Sequence, residues 1–141
     1  MSRLVVDASV AVKWFLPEEQ SEAARALLGA GHDLIGPEFI YAELGSALVK
    51  RVRKGEISED TAIEIFTMAR SLGMDIHPIE PLMEATLRLC AAHQQSFYDS
   101  LYLALAMALD ARVVTADRPF YDAIRASSLA PQMLWVEEEI R

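Results

Sequence analysis

Two acidic residues each stand directly after, or close behind, a short apolar run. Asp7 follows the run 4–6, and Asp117 comes shortly after the run 113–114. Such β-branched runs are typical of buried strands. In open parallel sheets, ligands bind beyond the carboxyl ends of the strands. If both runs are parallel strands of one sheet, the two carboxylates lie at the same edge, where they could act together.

Two further acids lie on predicted helices. Asp99 precedes the apolar segment SLYLALAMAL, and Glu43 lies within the helical segment PEFIYAELGSALVKRVRKG. The residues three and four positions away from Glu43 share its helix face. They are mostly apolar or small: Phe39, Ile40, Ser46 and Ala47. We therefore expect this face to turn inward, where an unpaired carboxylate would be costly.

Each acid also has an ordinary structural explanation. Asp7 and Asp99 could cap helices or occupy their first turns, Asp117 could open a turn before Pro119, and Glu43 could form a salt bridge. If the four converge, like charges would raise their pKa values, and a divalent cation would remove the repulsion. Oxygen ligands favour Mg²⁺ or Mn²⁺, and His32, His77, His93 and Cys90 are too scattered to indicate zinc.

The remaining pattern predicts the elements that position these acids. Strands are expected near 4–7, HDLIG, MDIHPI, ARVVTAD and MLWVEE. Helices are expected in PEEQSEAARALLGAG, beginning near Pro17, in the Glu43 segment between Pro37 and Gly55, in SEDTAIEIFTMARSLG with Ser58 as its N-cap, in PLMEATLRLCAAH and in FYDSLYLALAMALD. This alternation predicts an α/β fold, in which helices flank a central, mainly parallel sheet of about four to five strands. Residues 1–141 suit one domain.

Composition limits the classes of function. Apolar residues make up 52% of the chain, no apolar run approaches the ~20 residues of a membrane span, and the N-terminus is not a signal peptide. The lone Cys90 fits a cytoplasmic protein. The formal net charge of −8 opposes binding to nucleic acid, so such a function would need local basic patches or metal ions.

Basic residues near the acids offer such patches. Lys50 and Lys54 continue the helix face that carries Glu43. Lys13 lies about one turn into the element that follows Asp7, and Arg118 adjoins Asp117. These four could bind phosphates. The competing explanation is a solvated helix end, whose cations offset the helix dipole. Five aromatic residues could stack bases, although their helical spacing is more typical of core or interface packing: Trp14, Phe15, Phe97, Tyr98 and Tyr102.

Four segments carry a resemblance to a known family. VVDASVAVKWF, PEFIYAELGSAL, FYDSLYLALAMAL and VVTADRPF, in this order, resemble the four acidic motifs of PIN-domain nucleases, in particular the toxin ribonucleases of bacterial and archaeal VapBC toxin–antitoxin pairs. The resemblance runs from Leu4 to about Val136. The family's acidic quartet then falls on Asp7, Glu43, Asp99 and Asp117, and Ser9 and Thr115 match its supporting hydroxyl residues.

The resemblance implies an activity and partners. It implies an endoribonuclease that hydrolyses RNA phosphodiester bonds with one or two Mg²⁺ or Mn²⁺ ions, held mainly by Asp7, Glu43 and Asp99. Asp117 would bind a second ion or orient the attacking water. It also implies a homodimer and neutralisation by a cognate VapB-type antitoxin. The segment TAIEIFTMARSL, which carries Ile63, Ile65 and Phe66 among charges, could supply part of a contact surface.

Other functions remain as alternatives. A haloacid-dehalogenase-type phosphatase needs a second acid two residues after the first, where this chain has Ser9. A response-regulator receiver needs its acid on a middle strand and a lysine at a later strand end. A PIN fold that keeps its acids but acts only by binding a protein partner is the more serious alternative. Loss of activity in a folded variant of one acid would distinguish it from an enzyme.

Overall fold

A computed structural model describes residues 2–138 and residue 140 of the chain. Within them, five parallel strands form one sheet in the order β3-β2-β1-β4-β5. The strands are β1 (Arg3–Val6), β2 (Asp33–Pro37), β3 (Asp75–His77), β4 (Arg112–Thr115) and β5 (Met133–Trp135). The α-helices are α1 (Ala8–Ala11), α2 (Ser21–Ala26), α3 (Ile40–Arg53), α4 (Glu59–Ser71), α5 (Met83–His93), α6 (Phe97–Ala108) and α7 (Arg118–Arg125), with 3-10 turns at Val12–Trp14, Glu80–Leu82 and Ala130–Gln132. The predicted α/β class and central parallel sheet are confirmed.

The strand order brings the ends of β1 and β4 together. The chain runs from β1 outward through β2 to β3, then returns to place β4 on the other side of β1. The register pairs Val6 with Val114, and the Asp7 N–H donates to the Val114 carbonyl at 3.1 Å. Crevices at such a reversal of strand order are where open α/β sheets bind ligands. The acid after β1 and the acid after β4 therefore lie at the same edge, as the sequence predicts.

Helix α6 carries Asp99 to that edge. Residues 100–106 of this helix are all buried, because α6 packs on β1, β2 and β4 and also on α5. A helix that is apolar on all sides is stable only in such a position. Its start is set by Ser96, whose Oγ accepts a hydrogen bond from the Asp99 N–H at 3.1 Å.

Helices α3 and α4 form a second, smaller core. Leu44 and Leu48 of α3 pack there against Ile65 of α4. Ser58 is the N-cap of α4, as predicted, and its side chain accepts a hydrogen bond from the Thr61 N–H. Gly55, with a φ of +73°, follows the end of α3, also as predicted. This packing fixes the face of α3 that carries Glu43.

Two predicted helix starts are wrong. The second helix does not begin near Pro17, because Gln20 adopts a left-handed conformation with a φ of +64° and α2 begins only at Ser21. Ser21 Oγ donates a hydrogen bond to the Leu16 carbonyl and accepts one from the Glu18 N–H. These bonds hold the residues between Leu16 and Ser21 in a loop. Pro37 ends β2 rather than opening α3, which begins at Ile40.

Helix α7 is absent from the sequence-based assignment. Its signals are nonetheless present, since Asp117 is the N-cap and Pro119 lies in the first turn. Asp117 Oδ1 accepts a hydrogen bond from the Phe120 N–H at 3.2 Å. None of the helices in the described part of the chain has the length and apolar character needed to cross a bilayer.

Candidate active site

The Asp7 carboxylate is the most buried of the four acids. Only 5% of the residue is exposed. One of its oxygens, Oδ2, accepts hydrogen bonds from Ser9 Oγ at 3.0 Å and Thr115 Oγ1 at 2.7 Å. Asp7 occupies the N-cap position of α1, yet its side chain makes no capping bond. The ordinary explanation of this acid as a helix cap is therefore wrong.

Ser9 and Thr115 join the two strand ends around Asp7. Ser9 Oγ accepts a hydrogen bond from the Ala116 N–H at 3.0 Å, and Thr115 Oγ1 accepts one from the Asp117 N–H at 3.0 Å. Each hydroxyl thus accepts from the backbone after β4 and donates to the Asp7 carboxylate. These bonds orient one Asp7 oxygen, and they are the kind of support that the sequence predicts for Ser9 and Thr115.

Glu43 is half-buried and held by a residue that the sequence analysis considered only as an aromatic. Tyr102 donates its hydroxyl proton to Glu43 Oε1 at 2.7 Å, and its oxygen accepts a hydrogen bond from the Ala8 N–H at 3.3 Å. Tyr102 lies three residues after Asp99, hence on the same face of α6. That spacing is the signal from which its role could have been found.

The helix face that carries Glu43 is less buried than predicted. The core side of α3 is formed by Ile40, Leu44 and Leu48, whereas Ser46 is exposed and Ala47 is only half-buried. The expectation that the whole Glu43 face turns inward is therefore wrong. The face borders an open groove instead, which leaves Glu43 accessible to a ligand.

Asp99 and Asp117 complete the group. Asp99 lies in the first turn of α6, but Ser96 rather than Asp99 provides the cap. Asp117 caps helix α7, whereas the sequence predicts only a turn at this position. Only one of its carboxylate oxygens, Oδ1, makes that capping bond. Capping therefore fixes the position of Asp117 and leaves its second oxygen outside the capping bond.

Burial and neighbouring charges raise the pKa values of three of the four carboxyl groups. Burial, together with the charges of Glu43 and Asp117, raises the pKa of Asp7 to about 6. The hydrogen bonds from Thr115 and Ser9 lower this pKa, but by less than burial raises it. Burial and the charges of Asp7 and Asp117 raise the pKa of Asp99 to about 6. Burial and the charge of Asp99 raise the pKa of Glu43 as well, whereas the hydrogen bond from Tyr102 lowers it. Shared desolvation and repulsion of this kind make the group receptive to a cation.

Tyr102 remains a hydrogen-bond donor in this setting. Its burial and the nearby charges of Asp7 and Glu43 raise the pKa of its hydroxyl far above the ordinary value. The hydroxyl therefore stays protonated and donates its hydrogen bond to Glu43 Oε1. The same residue touches the first residue of α1 through the Ala8 N–H, so it links the elements that follow Asp7 and carry Glu43.

The donor set fits a hard divalent cation. All four groups are carboxylates, and Mg²⁺ and Mn²⁺ prefer oxygen ligands. Among residues 2–138 and 140, no three His, Cys, Asp or Glu side chains are already placed so that they could hold one metal ion. Closure on a cation therefore requires rotation of carboxylates. Glu43 and Asp99 are only partly buried, so both are accessible to a ligand.

A groove of about 600 Å³ runs from Glu43 along α3. Ser9, Glu43 and Tyr98 line it at the acidic end, and Lys50 and Lys54 line it further along. Both lysines are exposed. Lys50 and Lys54 do continue the helix face that carries Glu43, as the sequence predicts. The groove thus joins an acidic end to a basic end, although the chain is acidic overall.

Two other predicted phosphate contacts are placed differently. Lys13 is buried, and its ammonium group donates to Glu18 Oε2 at 3.2 Å and to the Glu19 carbonyl at 2.8 Å. Its position therefore does not support the predicted RNA contact. The Arg118 guanidinium stacks 3.9 Å from the centre of the Trp135 ring and pairs with Asp122 at 3.6 Å. Arg118 remains half-exposed, but these contacts already engage its charge.

Comparisons with known proteins place this geometry in a family. Residues 4–125 match the model of the PIN domain. Ribonuclease VapC1 of Mycobacterium tuberculosis is 37% identical over 120 residues, which cover 83% of this chain and 87% of that protein. The crystal structure of VapC20 of the same species, a toxin that cleaves the sarcin-ricin loop, has a TM-score of 0.68 at 16% identity and covers 85% of this chain and 94% of that one.

A third similarity is to a toxin–antitoxin pair. VapBC2 of Rickettsia felis, solved bound to a DNA fragment from its promoter, has a TM-score of 0.66 at 14% identity, with 94% of this chain and 96% of that chain covered. Identities this low show the fold alone, whereas the family match and the VapC1 similarity span most of the sequence. On these grounds the chain belongs to the PIN-domain family as one of its VapC-type members.

Proposed function

We propose that this protein is a metal-dependent endoribonuclease toxin, formed by a single PIN domain over residues 1–141, that hydrolyses RNA phosphodiester bonds and is neutralised by a cognate antitoxin. The observation that carries the proposal is the hydrogen-bonded arrangement in which Thr115 contacts both Asp7 and the Asp117 N–H, while Tyr102 contacts both Glu43 and the Ala8 N–H that follows Asp7. The relationship to a protein named ribonuclease VapC1 supports the reaction class. The pairing of VapBC2 supports an antitoxin partner.

Each acid has a defined part in the proposed mechanism. Asp7, Glu43 and Asp99 would hold one Mg²⁺ or Mn²⁺ ion, and Asp117 would help to hold a second or orient the attacking water. When bound, such an ion acidifies a water and neutralises charge on the phosphate and on the leaving oxygen. Ser9, Thr115 and Tyr102 keep the carboxylates in position, because each donates its hydroxyl proton to Asp7 or Glu43.

A calorimetric titration of the metal-free protein with Mn²⁺ and Mg²⁺ tests the proposal most directly. The parent should bind the ion, and the Asp99→Asn variant should lose most of that binding, because Asp99 supplies one of the converging charges. Binding that is equal in both proteins would exclude the quartet as the cation site. A parent that binds neither ion would favour the alternative, in which the fold acts only through a protein partner.

The basic end of the groove provides a second test. Lys50→Ala should weaken RNA binding and reduce the slope of log K against log salt by about 0.7 for a single strand, since one phosphate contact is lost. Arg70→Ala is the matched control, because this exposed residue of α4 carries the same charge but does not line the groove. Equal slopes for parent and Lys50→Ala would show that RNA does not follow this part of α3.

We also infer that the protein forms a homodimer. We infer that exposed apolar side chains of α3 and α4 contact a protein partner. Val49 and Ile63 are 45% and 58% exposed, and both line an apolar groove between these helices. Ile65, which the sequence grouped with Ile63, is instead buried in the second core. The exposed members of this face supply the apolar area that protein contacts use.

A further inference from the structure

One exposed aromatic side chain stands at the acidic end of the groove. Tyr98 is 57% exposed, lines the groove together with Glu43, and directly precedes Asp99. Two of the other aromatic candidates are buried: Trp14 donates its indole N–H to the Ala24 carbonyl, and Tyr102 holds Glu43. Large exposed aromatic rings beside a binding groove are typical of contact sites.

The Tyr98 ring is supported from below by other aromatic rings. It packs edge-to-face on Phe39 with ring centres 5.1 Å apart, and Phe39 packs on Tyr102 at 5.3 Å. Phe39 immediately precedes α3, and Tyr102 is fully buried in α6. Edge-to-face packing restrains the Tyr98 ring, and its exposure of 57% leaves part of the ring accessible from the groove. These two edge-to-face contacts therefore hold Tyr98 in a fixed position at the wall of the groove.

The charges of the groove indicate which partner this ring would meet. Lys50 and Lys54 lie seven and eleven residues after Glu43, which is about 10 Å and about 16 Å along α3. A nucleic acid strand whose phosphates follow these lysines would bring its cleaved phosphodiester to the acids. The nucleotide at that end of the strand would then lie beside Tyr98. Nucleobases stack on aromatic side chains in a way that tolerates any sequence.

We propose that Tyr98 forms a base-stacking subsite, so that the substrate is an RNA with an unpaired nucleotide next to the bond that is cleaved. This inference rests on the proposed function and deepens it. Bases within a double helix are stacked on each other and offer no free face, whereas loops and single strands do. Tyr98 thereby selects single-stranded over double-stranded RNA, while the lysines attract both.

The test compares two single strands of equal phosphate charge, one with bases and one without, and an RNA duplex. Binding is measured by fluorescence anisotropy in an Asp7→Asn background with Mg²⁺, which prevents cleavage. The probes are a 12-nucleotide oligouridylate, the same length of ribose-phosphate strand without bases, and a 12-base-pair RNA duplex. Tyr98→Ala should weaken binding of oligouridylate by about 5-fold or more, since stacking is worth about 1–3 kcal/mol per base. It should change binding of the other two probes by less than twofold.

Matched variants separate stacking from other effects. Tyr98→Phe keeps the ring and should bind oligouridylate within twofold of the parent, whereas Tyr98→Leu should bind as weakly as Tyr98→Ala. Leu87→Ala, at a residue of α5 that is 61% exposed and outside the groove lining, should have no effect. Because Tyr98 is exposed, its replacement does not alter the buried Tyr102. Circular dichroism of each variant checks that the fold is retained.

Several outcomes would overturn the subsite. Equal affinity of parent and Tyr98→Ala for oligouridylate would do so, as would an equal loss on all three probes. Unchanged RNA binding with altered sedimentation would assign Tyr98 to a protein interface instead. If the parent cleaves RNA and only the Tyr98 result fails, the proposed function stands without this subsite. If the parent neither cleaves nor binds any strand, both proposals fail.

Discussion

Replacement of Asp99 by asparagine is expected to reduce RNA cleavage about 1000-fold. A cation held by the quartet contributes several kcal/mol to transition-state stabilisation, and each ~1.4 kcal/mol corresponds to tenfold in rate. Asp99 shares its electrostatic environment with Asp7 and Asp117, so the loss of its charge weakens the site as a whole. Asp7→Asn should have a similar effect. Cleavage rates at saturating Mn²⁺ measure the loss, and expression of either variant should no longer arrest growth.

A matched variant distinguishes this result from a general effect of lost charge. Asp110 is exposed and lies just after α6, before β4, so it is at the opposite end of that helix from Asp99. It has a φ of +51°, a conformation that asparagine also tolerates. Asp110→Asn should cleave RNA within twofold of the parent. If Asp99→Asn cleaved as well as Asp110→Asn, the quartet would have a structural role and the binding-module alternative would be favoured.

Asp7→Asn is expected to stabilise the metal-free protein at pH 8. Burial raises the pKa of Asp7 from 3.8 to about 6, so the folded state holds a proton that the unfolded state releases between these values. The free energy of unfolding therefore falls as pH rises from about 4 to about 6 and stays low above it. A shift of about 2 pKa units corresponds to about 3 kcal/mol, which is the upper limit of the expected gain. The pKa of Asp99, also raised to about 6, acts in the same pH range.

Urea unfolding with a chelator at pH 4 and pH 8 measures this effect. The asparagine side chain of the Asp7→Asn variant can still accept the hydrogen bonds from Ser9 and Thr115 through its amide oxygen. The variant should therefore exceed the parent in stability at pH 8 and approach it at pH 4. Saturating Mn²⁺ should reverse the order, because binding to the folded parent stabilises it. A variant less stable than the parent at pH 8 without metal would show that the Asp7 charge supports the fold rather than a ligand.

Local sequence patterns were sufficient for the sheet and for the position of the acids. The runs that precede Asp7 and Asp117 form strands because they are short, β-branched and bounded by polar residues. Parallel pairing then places both acids at the carboxyl edge without any further information. The start of α4 at Ser58 and the end of α3 near Gly55 follow from equally local rules of helix capping.

The surroundings of the charged side chains depend on contacts between distant segments. From the sequence alone, Lys13 is expected to be available to a ligand. In the structure, the loop that ends at the left-handed Gln20 places Glu18 within hydrogen-bonding distance of Lys13. Glu18 in turn bonds Arg51 of α3, which no local rule predicts. Long charged side chains take the partner that the fold brings near, so burial and pairing decide whether they are available to a ligand.

The composition of the site is therefore a property of the sequence, and its working geometry is a property of the tertiary structure. The identities and order of Asp7, Glu43, Asp99 and Asp117 are readable from the chain itself. The hydrogen bond from Tyr102 of α6 to Glu43 of α3 joins residues 59 positions apart, and the exposure of Tyr98 likewise depends on the tertiary structure. Secondary structure follows from interactions within a few residues, whereas orientation and exposure of side chains follow from the packing of elements that are far apart in the chain.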